Sequence, residues 1–172
     1  MYTFNELIVI FFNFKPMKFF SLYGFIAILA IALPSLIFMK KAHKTRPDDL
    51  DVYSIRTARV ELVCRTLLNF TLPLMRMPEF EPIFLYIAVG ALGIYYLLWI
   101  RFAIQGSYYP DIYMKTLFGI PIPFDIVNII FFVCISIYLT NLFSLSLSII
   151  YGACRFLNAM KARKDLNSRV EA

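Results

Sequence analysis

The chain has 172 residues, 60% of them hydrophobic, 17% aromatic and 16% charged, with a net charge of +6. A soluble domain of this length cannot hide so much apolar surface, so the composition excludes an ordinary water-soluble protein and points to a lipid bilayer. The basic excess crowds at the ends of apolar runs, which suits anionic head groups and argues against nucleic acid as a partner.

Residues 7–14 are uncharged but are cut off by Lys15 and Pro16. Such a segment is too short to cross a hydrocarbon layer of ~30 Å, and its Phe residues suit the head-group region. Residues 19–39 then run for 21 positions without an acidic or basic side chain. At about 1.5 Å of rise per residue, a helix of that length spans a bilayer. Lys15, Lys18 and Ala30-Ile31-Ala32 imitate a secretory signal with its cleavage site. The apolar run continues past that site through Leu36, Ile37 and Phe38 until Lys40 and Lys41, so a retained first span is expected.

From 40 to 81 the polarity changes, and the basic residues are Lys40, Lys41, Lys44, Arg46, Arg56, Arg59, Arg65 and Arg76. Asp48 or Asp49 could cap a helix starting near Leu50. Val60, Val63, Leu67, Phe70, Leu74 and Met77 recur at steps of three and four, which places them on one side of that helix. Glu61, Arg65 and Asn69 follow another side, with Glu61 and Arg65 spaced to pair. Segment 50–77 is therefore expected to be an amphipathic helix on the cytoplasmic membrane face, docked on a partner or shielding the inner end of the bundle. Pro73 should bend or end it.

The second span, 82–103, opens at Pro82 and closes on Tyr95, Tyr96 and Trp99 before Arg101, a succession that marks the depth where hydrocarbon meets water. The loop after it alternates Pro and Gly yet carries Tyr108, Tyr109, Tyr113, Leu117 and Phe118. It should pack on the outer helix ends or dip into the head groups.

The third run, 126–154, has 29 residues without an acidic or basic side chain. Ser136, Thr140, Ser144, Ser148 and Gly152 follow at intervals of four, with Asn141 at mid-run. Small residues so spaced let another helix approach closely where lipid replaces water. The stripe is read as a helix-contact face, and its continuity favours one long tilted helix over 125–154 rather than a hairpin.

Lys and Arg near span ends stay in the cytoplasm. Three crossings with the N-terminus outside put 13 basic residues inside, eight in 40–81 and five in the tail (Arg155, Lys161, Arg163, Lys164, Arg169), and 4 outside. Lys40, Lys41, Lys44, Arg46, Arg155 and Lys161 are the expected lipid head-group contacts.

Chemistry is sparse. His43 lies among lysines, and Cys64, Cys134 and Cys154 have no metal-ligand spacing, so neither a metal nor a cofactor is expected. Asp48, Asp49 and Asp51, with Glu79 and Glu81 to complement them, could hold Mg²⁺ against a lipid pyrophosphate, although helix capping explains the same aspartates. Asp125 and Arg155 bracket the third run, which leaves no ionisable group deep in any span and argues against a proton-coupled carrier.

The fold class expected is all-α integral membrane, one domain over 1–172 with three transmembrane helices and an interfacial amphipathic helix. The function expected is that of a small non-enzymatic protein of the bacterial inner membrane, with its C-terminus in the cytoplasm. It would act through helix contacts with another membrane protein or itself, as an accessory subunit or an immunity or entry-exclusion protein. Two alternatives stay open: a Mg²⁺-dependent enzyme acting on a phosphorylated lipid, and a pore lined by the third span's hydroxyls.

Overall fold

The computed structural model describes residues 22–45, 55–74 and 82–170. Its elements are α1 (Leu22–Ala42), running on into a 3-10 turn at His43–Thr45, and α2 (Ile55–Thr71), ending in a 3-10 turn at Leu72–Leu74. They are followed by α3 (Ile83–Ile104), the short α4 (Asp111–Met114), α5 (Pro123–Tyr138) and α6 (Leu142–Val170). Among the described residues there is no strand. Segment 7–14, the aspartates at 48, 49 and 51, and Glu79 and Glu81 lie outside them.

Helices α3 and α6, over Ile83–Ile104 and Leu142–Arg169, are long and apolar enough to cross a membrane. Their outward faces suit lipid: Leu36 on α1, Tyr86 and Leu97 on α3 and Leu157 on α6 are all exposed large apolar residues. So broad an apolar exterior would be an aggregation surface in water.

The 29-residue run is not one helix. It is broken at 139–141, where α5 ends and α6 turns back along it. The Asn141 amide bonds the Ser136 carbonyl at 3.2 Å and the Thr140 amide bonds that of Ile137 at 2.9 Å, with Thr140 left-handed at φ 53°. This is a Schellman ending with Thr where Gly is usual. Asn141 then accepts the Ser144 amide on its side chain at 3.0 Å and so caps α6. The correction to the expected tilted helix has a local cause: Thr140 and Asn141 stop one helix and start the next.

Direction follows from the contacts. Thr57 reaches Asn158, and Thr71 reaches Ser144, so α2 runs antiparallel to α6 along its whole length. Tyr95, Trp99 and Phe102 of α3 surround Phe124 at the start of α5, which makes α3 antiparallel to α5. Helix α1 lies against α3, with Phe38 stacked on Trp99. Pro34 has no N–H to give the Ala30 carbonyl, and the Tyr96 hydroxyl bonds that carbonyl instead at 2.9 Å. Near its start, α1 meets the Leu72–Leu74 turn at Gly24.

One consequence departs from the sequence reading. Thr45, in the turn that ends α1, accepts the Tyr109 amide at 2.9 Å, so the end of α1 and loop 105–122 share one end of the bundle. They were expected on opposite sides of the membrane. Helix α2 carries the chain back between them, packed alongside α6 rather than laid across the bundle's end.

The 105–122 loop does fold onto the helix ends, burying Ser107, Tyr109, Ile112, Tyr113 and Ile122. Gly106 (φ 97°) makes the turn out of α3, a backbone shape that needs its missing Cβ.

Candidate functional site

Within the bundle, near its basic end, α2, α5 and α6 converge on a cluster of polar side chains. Arg155 of α6 donates from Nη1 to Glu61 Oε1 at 3.0 Å and from Nε to Asp125 Oδ1 at 2.5 Å. Asn158, one turn further along α6, donates to Glu61 Oε2 at 2.7 Å and accepts the Thr57 hydroxyl at 2.7 Å. The side chains of Glu61, Asp125 and Arg155 are only 7%, 2% and 19% exposed. Tyr113 and Tyr151 lie within electrostatic range of the guanidinium.

Each position has a local cause. Ile122 turns left-handed and Pro123 opens α5 at its first position, which sets Asp125 in the first turn, where free amides favour a carboxylate. Glu61, Cys64 and Leu68 lie at helical spacing on the buried side of α2, and Leu72 of the following turn continues it. Arg155 then falls at Asp125's level because the α5–α6 hairpin sets Ser136 against Ser148 and Ile129 against Gly152.

These contacts correct three expectations. Arg155 points into the bundle rather than to head groups, with Nε donating to Asp125 and Nη1 to Glu61. Glu61 pairs with Arg155 and not with Arg65, which is exposed. Asp125 and Arg155 do more than bracket an apolar run: folding brings them together inside the bundle.

The other basic residues named for head groups fall variously. Lys44 and Lys161 are exposed, Lys40 and Lys41 lie in the last turn of α1, and Arg46 is outside the described residues.

The four-spaced stripe is taken up inside the chain. Ser136, Ser144 and Ser148 are fully buried. Ser148 donates to the Phe132 carbonyl at 3.2 Å and so accepts from Ser136 at 3.0 Å, while Ser144 meets Thr71 at 2.8 Å. A Cβ on Gly152 would come within 2.8 Å of Ile129, so this glycine lets α5 and α6 close. Thr140 and Asn141 make the turn. The face joins the chain's own helices.

Conversely, the stripe Val60, Val63, Leu67 and Phe70 points outward from α2. Beside it runs a polar flank of Arg59, Arg65, Thr66 and Asn69, also exposed.

Cys64, Cys134 and Cys154 are free thiols. Among the described residues no group of three or more His, Cys, Asp or Glu side chains is placed to hold a metal ion. No family model, curated protein or solved structure matches this chain.

Proposed function

We propose that this chain is an integral protein of a bacterial inner membrane that works through contact with another membrane protein, as an accessory subunit or in an immunity or exclusion role. The two-sided outer surface of α2 carries this reading. Because α2 stands alongside α6, it shares α6's path through the bilayer rather than lying flat on it. A helix facing only lipid has no use for Arg65 near its middle, since intramembrane cations pair with protein or line polar cavities. A helix facing only water has no use for Phe70 at 67% exposure. A second protein with an apolar ridge and an acidic or amide side chain opposite Arg65 satisfies both flanks.

Orientation follows from charge. The end where Thr45 meets Tyr109 also bears Lys44, Arg56, Arg101 and Lys115, and α6 extends there with Lys161, Arg163, Lys164 and Arg169. The opposite end, formed by Leu72–Leu74, the start of α3 and the 139–141 turn, has no basic residue among those described. Positively charged ends are retained inside, so the basic end and the C-terminus face the cytoplasm. A pore through the Ser stripe loses support, because those hydroxyls are enclosed by the chain's own helices.

A photo-crosslinking residue at Phe70 tests the contact in native membranes. It is expected to capture a discrete membrane protein, whereas the same probe at Leu36 captures lipid. Lipid alone at both positions contradicts the proposal.

A further inference from the structure

The cluster between α2, α5 and α6 does not balance its charge. Glu61 and Asp125 bring two carboxylates and Arg155 one guanidinium, leaving one negative charge in an interior that strongly disfavours an uncompensated ion. Glu61 has both oxygens bonded, by Arg155 and by Asn158. Asp125 has one oxygen bonded to Arg155, while Oδ2 is buried and accepts no hydrogen bond. Asn128 Oδ1, one turn along the same helix, is likewise buried without a donor.

The neighbours do not supply the missing charge. Helix α3 contributes Tyr95, α4 Tyr113, and α6 Tyr151 and Asn158 besides Arg155, all formally neutral apart from the arginine. From α2 comes Glu61 itself, while Arg65 of the same helix acts on Tyr151 from an exposed position.

We infer that the cluster is a proton-binding site, with one proton held on Asp125 Oδ2 so that the buried set is neutral. The O–H bond forms with a proton taken from solvent, and its loss returns that proton and leaves one net negative charge between the helices. This site stands independently of the partner proposed for the outer flank of α2.

The site also couples to motion. Glu61 rides on α2, whereas Asp125 and Arg155 belong to the α5–α6 hairpin. With α2 docked, Glu61 and Asp125 are buried together around one guanidinium, and the proton on Asp125 keeps that set neutral. Docking is therefore favoured at pH values below release of that proton and weakened as pH rises through it.

Infrared difference spectroscopy between neutral and alkaline pH tests this on the full chain in lipid nanodiscs, with and without isotope-labelled aspartate. The expected result is the carbonyl stretch of a protonated carboxylic acid at neutral pH, lost on alkalinisation, shifted by the label and absent in Asp125→Asn. The inference is overturned if no such band exists at neutral pH, if the band ignores the aspartate label, or if it survives in Asp125→Asn. The labelling arm uses the unaltered sequence, so the test stands even where that variant does not fold.

Discussion

Arg155→Met is expected to lower the stability of the bundle by about 3–5 kcal/mol, because removing the cation of a buried ion pair strands the remaining negative charge in the interior. Glu61 and Asp125 would both lose their cation, at 3.0 Å and 2.5 Å respectively. Arg155→Lys should restore little, since one ammonium cannot serve two carboxylates from the fixed fork of a guanidinium. Replacing the whole set, as Glu61→Gln, Asp125→Asn and Arg155→Met together, should recover most of the loss, because a neutral set of similar volume carries no buried charge. Thermal unfolding in detergent, followed by circular dichroism, measures all three. Equal melting of the single and triple variants would mean that the cluster does not hold α2 to the hairpin.

The second large effect is expected at Gly24. An added Cβ there would lie 2.0 Å from the Leu72 carbonyl oxygen and 2.6 Å from its carbon, and backbone cannot step aside as a side chain can. Gly24→Ala should therefore push α1 off the Leu72–Leu74 turn, at a cost of about 1–3 kcal/mol or more. Gly90→Ala is the control, because nothing lies within 4 Å of a Cβ on Gly90 and alanine is the better helix former by about 1 kcal/mol. If the two substitutions shift melting alike, α1 does not pack backbone to backbone on that turn.

Some of this architecture was legible in the sequence because its cause is local. Pro82 and Arg101 bracket the second span, and α3 at Ile83–Ile104 follows those bounds closely. Pro73 ends α2 within two residues, as a missing amide requires. The chain break at 139–141 was harder to see, because Thr rather than Gly takes the left-handed position and no Pro intervenes. The clue was Asn141 followed by Ser144, a cap hidden in an apolar run.

Periodicity found the stripe of Val60, Val63, Leu67 and Phe70 but not its direction. Hydrophobic burial no longer chooses the inner face where lipid surrounds the helix. The inner face of α2 instead carries Glu61, Cys64 and Leu68. The charge cluster could not be read from spacing at all: Glu61 and Arg155 are 94 residues apart, and only the helix directions bring them together.

Those directions are the claim on which the rest depends: α1 and α3 finish at the same end of the bundle, with loop 105–122 and the basic extension of α6 on one side of the membrane. Single cysteines at Tyr108, Leu142 and Lys164, in a chain lacking its own three cysteines, can be probed in intact cells with a membrane-impermeant maleimide. The 142 position should label from outside, and positions 108 and 164 only after the membrane is opened. Labelling of 108 from outside while 164 stays protected would contradict the arrangement, because it would set loop 105–122 across the bilayer from the basic tail.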